Sequence, residues 1–136
     1  MPLYISKQEE RVINGSAPRL AFGGKNKFNH NYNTLEDNEE LHFGKIKAKA
    51  VLTPGHTIGS MSFLIDDIYL FVGDNLSLQN GQVHLFNSLF NFSDDAQKES
   101  IKSLAKITSA EYIFTAHYGF TYKPKGAFKN FLLLKG

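Results

Sequence analysis

Three side chains combine metal-ligand chemistry with a common placement in this sequence: His56, Asp74 and His117. The stretch Thr53-Pro54-Gly55-His56-Thr57-Ile58-Gly59-Ser60 follows a strand-like segment over residues 45–52. Its alternation puts Ile46, Ala48, Ala50 and Leu52 on one face and Lys45, Lys47, Lys49 and Val51 on the other. A second apolar run, residues 68–72, leads into Gly73-Asp74, and a third, residues 111–116, leads into His117-Tyr118-Gly119. Each of the three side chains therefore stands just past the end of an apolar strand. Two imidazoles and one carboxylate meeting at one rim are ligand chemistry suited to zinc, and also to iron or manganese.

The elements between them decide whether they meet. Residues 61–65 form an apolar run, and the Asp66-Asp67 turn joins it to residues 68–72. Short connections make antiparallel neighbours, so the strands before His56 and Asp74 run the same way and end on one edge. Residues 94–108 read as an amphipathic helix, with Ile101, Leu104 and Ala105 on one side and Lys98, Lys102 and Lys106 on another. Ser93 or Asp94 can cap it, and Asp94 with Gln97 has capping-box spacing. A strand–helix–strand crossover returns the chain parallel to the earlier strand, which brings His117 to the same edge.

Length and composition bound the rest. The chain has 136 residues, one domain's worth. With 42% hydrophobic residues and twelve Phe, it can bury a proper core. The net charge of +2 comes from scattered lysines, which is no nucleic-acid footprint. There is no cysteine, so neither disulfides nor thiolate ligands arise. No apolar stretch reaches the length of a membrane span, and the first residues lack the pattern of a signal peptide, so the expected location is the cytoplasm. Asn75-Leu76-Ser77 and Asn91-Phe92-Ser93 match the glycosylation pattern only by chance.

Along the chain, residues 2–5 read as a strand and Ser6 as the cap of a short helix to Ile13. Residues 14–33, rich in Gly, Asn and Lys, read as loop; His30 within it is a solvated loop histidine ahead of a ligand or pocket residue. The acidic residues Glu36, Asp37, Glu39 and Glu40 fit a hydrated turn better than a cation site. Asn80-Gly81 signals a hairpin just beyond Asp74. Phe86, Leu89, Phe90 and Phe92 beyond it read either as an apolar wall or lid or as cover for the core. His84 carries the same two readings, pocket residue or plain packing. Residues 127–135 form a terminal helix or strand.

The blocks Thr53-Pro54-Gly55-His56-Thr57 with Gly59-Ser60, Phe71-Val72-Gly73-Asp74 and Ala116-His117-Tyr118-Gly119, in that order, resemble the metallo-β-lactamase superfamily of metallohydrolases. Within it they look most like thioesterase-type members such as the hydroxyacylglutathione hydrolases. The resemblance implies that His56 ligates one metal, that Asp74 bridges two and that His117 ligates the second, with a hydroxide between the ions as nucleophile. His84 and Tyr118 are the expected substrate-binding residues. The superfamily's His-x-His-x-Asp-His motif has no counterpart among the five histidines, His30, His42, His56, His84 and His117. The expectation is therefore an α+β fold over residues 1–136: the C-terminal half of an αββα sandwich, with one mixed sheet, helices on one face and the other face open to a partner sheet. One zinc (or iron or manganese) ion at most is expected in this chain alone. The implied function is metal-dependent hydrolysis of a thioester or ester, a small-molecule substrate. The implied partners are a second copy or a separate N-terminal half, with neither nucleic acid nor membrane. The alternative is a non-catalytic interaction module.

Overall fold

The first elements are short. In the computed structural model, which describes residues 2–19 and 31–133, β1 (Tyr4–Ser6) leads directly into α1 (Lys7–Ile13), and β2 (Asn33–Leu35) pairs with β1 in parallel. His30 lies outside the described residues. Ser6 does two jobs at the β1–α1 junction. Its hydroxyl accepts the Glu9 N–H, an N-cap bond, and donates to the Gly59 carbonyl at 2.6 Å. Thr57 Oγ1 donates to Glu9 at 2.6 Å, so the start of α1 is tied to the turn that carries His56.

A six-stranded sheet follows. Its first four strands are β3 (Glu40–Phe43), β4 (Ile46–Leu52), β5 (Met61–Ile65) and β6 (Tyr69–Gly73), an antiparallel meander. The Asp66-Asp67 turn between β5 and β6 has φ of 51° and 62°, the doubly positive pattern of a tight hairpin turn, closed by the Ile68 N–H on the Ile65 carbonyl at 3.0 Å. A small hairpin comes next, β7 (Ser77–Gln79) and β8 (Gln82–His84), turning at Asn80-Gly81 as the sequence signals. A 3₁₀ turn over Ser88–Phe90 precedes α2 (Asp94–Ala105). β9 (Tyr112–Thr115) then lies parallel to β6, β10 (Phe120–Thr121) closes that side, and α3 (Pro124–Leu133) is helical rather than extended. The sheet order is β10-β9-β6-β5-β4-β3, mixed as expected, with the α2 crossover supplying its one parallel pair.

The register sorts the side chains onto two unlike faces. Leu64, Leu70 and Ile113 share one face, and α2 and α3 cover it with Ile101, Leu104, Ala127, Phe128 and Phe131. The opposite face bears Ile46, Ala48, Ala50, Phe63, Phe71 and Phe114, among others, and among the described strand residues no charge. Ala48 and Ala50 are buried, while Phe71 is 44% and Phe120 59% exposed. Tyr4 meets Phe43 edge-on at 6.2 Å, which puts the β1–β2 pair and its helix α1 on this second side. Thus α2 and α3 share one face, and α1 belongs to a partial second layer. Among the described residues no helix is long and apolar enough to cross a membrane.

The docking of that second layer rests on a close approach. A Cβ on Gly59 would overlap the Glu9 backbone in α1. Gly59→Ala is therefore expected to lose about 1–3 kcal/mol of stability through overpacking, read by urea unfolding. Unchanged stability would mean that α1 does not dock through this contact.

Candidate functional site

Asp74 follows Gly73, whose φ of 57° lets the chain leave β6 at a sharp angle. Parallel pairing places the end of β9 beside it, and the Ala116 N–H donates to the Gly73 carbonyl at 3.0 Å. Thr115 shapes the loop that presents His117. Its hydroxyl donates to the Gly119 carbonyl at 2.8 Å and accepts the Tyr118 N–H at 2.8 Å. On the other side, the turn bearing His56 is closed by the Thr53 N–H on the Ser60 carbonyl, and it leans on the start of α2. Phe92 and Ser93 N–H groups donate to the His56 and Gly55 carbonyls, and Ser100 Oγ donates to the Pro54 carbonyl at 2.7 Å.

These three loops bring the candidate ligands together. His117 Nε2 stands 3.3 Å from Asp74 Oδ1, and His56 Nε2 stands 3.7 Å from Asp74 Oδ2. The carboxylate thus lies between two imidazoles, one against each oxygen. A cavity of about 410 Å³ opens over them, lined also by Arg19, Thr57, Phe86 and Phe90. Phe86 packs edge-on to His56 at 5.0 Å and lies 6.4 Å from His117. Of the two readings of the Phe-rich stretch, wall of the site holds for Phe86 and Phe90, whereas Leu89 is 76% exposed.

Tyr118 stands beside this cavity, edge-on to Phe86 at 5.9 Å. His84 faces elsewhere: it lines a separate cavity of about 920 Å³ between β8, α2 and α3, and Phe86 is the wall common to both. His42 is exposed on β3.

Two residues at the centre of the site escape the sequence reading. Gln97 is fully buried and Asn91 nearly so. The expected Asp94–Gln97 capping box does not form: Ser93 is the cap, accepting the Ala96 N–H, and Gln97 lies one position too far along to reach back. Its amide turns inward instead, donating to the Asp74 carbonyl at 3.4 Å and to Asn91 Oδ1 at 3.2 Å. Asn91 Oδ1 in turn faces His56 Nδ1 at 3.3 Å. The burial of Asn75 and Asn91 also disposes of both glycosylation patterns.

The donor set fits a divalent cation. Among the described residues, Asp74 Oδ1 is buried and accepts no hydrogen bond, an orphaned carboxylate oxygen of the kind a cation satisfies. Its near contact with His117 Nε2 is electrostatic only if that imidazole carries a proton. Among the described residues, however, no set of three or more His, Cys, Asp or Glu side chains is already closed around a single point.

Hydrogen bonds from Ser88 and Asn91 hold the Asp94 carboxyl below its ordinary 3.8. A carboxyl depressed in the folded state contributes stability present above its unfolded value and lost as pH falls through the folded one. Asp94→Asn is expected to be less stable than the parent at neutral pH, with the gap closing in acid below 3.8. Thermal unfolding across pH reads this, and a gap that stays constant down to low pH would contradict it.

No family model matches the chain. It is 35% identical to a probable metallo-hydrolase of Methanocaldococcus jannaschii over 94 residues, 67% of this chain and 44% of that protein. It is also 35% identical to a hydroxyacylglutathione hydrolase of Bartonella tribocorum over 95 residues, 68% of this chain and 35% of that protein. The chain thus spans less than half the length of these relatives. A metallo-β-lactamase superfamily protein of Sulfolobus tokodaii superposes with a TM-score of 0.69 at 22% identity, over 97% of this chain and 57% of that one. By sequence likeness and by fold, the chain belongs to the metallo-β-lactamase superfamily, and what it carries fits the C-terminal half of that fold.

Proposed function

We propose that this chain supplies part of the metal centre of a hydrolase acting on a thioester or other ester, with His56, Asp74 and His117 as its ligands. The observation that carries this reading is Asp74, a partly buried carboxylate flanked by two imidazole nitrogens and left with one orphaned oxygen. The thioester class is supported by likeness to a hydroxyacylglutathione hydrolase. Zinc suits this donor set, and iron and manganese fall within the same chemistry. A divalent ion, when bound, polarises a carbonyl and lowers the pKa of a water beside it. The chain's own residues supply the rest. Asp74 and the two histidines hold charge in place, Phe86 keeps water from the His56 ring, and Arg19 at the cavity wall can meet an anionic substituent.

A second reading, a non-catalytic module that binds another chain, has its own support in the uncharged sheet face. Phe71 stacks on Phe114 at 4.7 Å, Phe114 on Phe120 at 5.7 Å and Tyr69 on Tyr112 at 5.4 Å. An aromatic side chain presents roughly 150–250 Å². The exposed parts of Tyr69, Phe71 and Phe120 then total on the order of 300 Å², already the scale of the largest patch on an ordinary monomer. Covering that area is worth about 7 kcal/mol at ~25 cal/mol per Å². The two readings join if the covering partner, a second copy or a separate N-terminal half, also completes the metal centre.

Calorimetric titration with zinc is expected to give one ion or fewer per chain, with binding lost in His56→Ala, Asp74→Asn and His117→Ala. Binding that survives all three changes would remove the metal reading. The isolated chain is expected to turn over thioesters far below an ordinary enzyme rate of about 1–10³ s⁻¹. In sedimentation at micromolar concentration the chain should self-associate, or bind a supplied N-terminal half, and Phe71→Lys should abolish this. A monomer that ignores both the half and the substitution would exclude the covered face.

A further inference from the structure

We infer that Gln97 is a positioning residue which, through Asn91, fixes the tautomer of His56 and so decides which ring nitrogen is offered at Asp74. The inference gains its purpose from reading His56 and Asp74 as metal ligands, but its geometry needs no ion.

The argument starts from backbone groups, whose roles are not negotiable. The Phe86 N–H can only donate, and it meets Gln97 Oε1 at 2.9 Å. The Asp74 carbonyl can only accept, and it meets Gln97 Nε2 at 3.4 Å. Together they allow the Gln97 amide one orientation. Asn91 is held the same way: Nδ2 donates to the Phe86 carbonyl at 3.3 Å, to Asp94 Oδ1 at 2.8 Å and to Gln97 Oε1 at 3.0 Å, while Oδ1 accepts from Gln97 Nε2. Turning Asn91 over would set its NH₂ against the NH₂ of Gln97 and its oxygen against a carbonyl and a carboxylate. With Oδ1 so fixed, the His56 Nδ1 facing it at 3.3 Å must carry the hydrogen.

In the neutral ring, His56 Nε2 then keeps its lone pair on the side of Asp74. A lone pair against a carboxylate oxygen is repulsive unless a cation is shared between them, and it is the form in which imidazole ligates a metal. Gln97 is 0% and Asn91 6% exposed, so water does not compete for these bonds. One buried amide therefore governs both partners, anchoring Asp74 through its backbone and orienting His56 through Asn91. Outer partners of this kind typically change metal affinity by about 10–100-fold when removed.

The test begins without metal. In the ¹⁵N-labelled full chain, at a pH where His56 is neutral, long-range ¹H–¹⁵N correlation is expected to show the Nδ1–H tautomer. In Gln97→Leu the ring should shift toward the Nε2–H form that imidazole favours in water. Ser100→Ala breaks the neighbouring tie to Pro54 and leaves the relay intact, so it should keep the Nδ1–H form. Should Gln97→Leu fail to fold, Asn91→Ala, which removes the acceptor facing Nδ1, should lose that form. A wild-type ring already in the Nε2–H form, or a ring indifferent to both residues, overturns the inference. Zinc titration then separates the two proposals. Gln97→Leu should weaken binding about 10–100-fold where Ser100→Ala does not. A chain that binds no zinc yet shows the tautomer shift would sink the metal reading and leave the relay standing.

Discussion

The arrangement depends on how closely the turn before His56 can approach the first turn of α2. Gly55 sits at φ 148°, and a Cβ there would overlap the backbone of Gln97. No other residue combines that conformation with that contact. Because the approach is so close, the N–H groups ahead of α2 reach the carbonyls of the turn, which satisfies donors that a helix start otherwise leaves to solvent. The same approach brings the helix's buried amide within reach of the loop after β6. Ligand loops far apart in sequence are thereby referred to one rigid element, and none has to hold its own position.

Beneath the site lies a second polar layer. Thr53, Ser62 and Asn75 are buried together at the end of the sheet, with Asn75 Nδ2 donating to Thr53 Oγ1 at 2.7 Å and to the Val72 carbonyl at 2.9 Å. Their hydrogen bonds tie the ends of β4, β5 and β6 to one another, which stiffens the rim from which His56 and Asp74 project. Among the described residues, Asn75 Oδ1 has no hydrogen-bond partner.

The fold was legible because its signals are local. Alternation in β4, the Asp66-Asp67 and Asn80-Gly81 turns and the amphipathic pattern of α2 each state a conformation within a few residues, and strand direction follows from short connections. The convergence of His56, Asp74 and His117 was legible for the same reason, since each sits at the end of a strand whose direction was readable. Gln97 was not. Glutamine four residues past the cap has no periodic signature, and its burial is decided by Gly55, forty-two positions earlier. The layer made by β1, α1 and β2 was likewise out of reach as a layer. β1 and α1 are readable singly, but β2 falls where the sequence reads as loop and acidic turn, and the layer's place depends on Ser6 meeting Gly59 and Tyr4 meeting Phe43. His84 shows the limit from the other side, for nothing in its neighbourhood says which of two cavities sharing Phe86 it faces.

The single parallel pairing in the sheet also gives the site an order of assembly. β3, β4, β5 and β6 pair through hairpins, contacts of short range that close early because little chain entropy is lost in making them. β9 pairs Tyr112 with Tyr69 only after the chain has run through the β7–β8 hairpin and α2. During folding, the turn of His56 and the exit of Asp74 are thus framed by a meander of local pairings, while His117 is delivered by a pairing of longer range. A chain emerging from the ribosome meets the same sequence of events, with His117 waiting on β9.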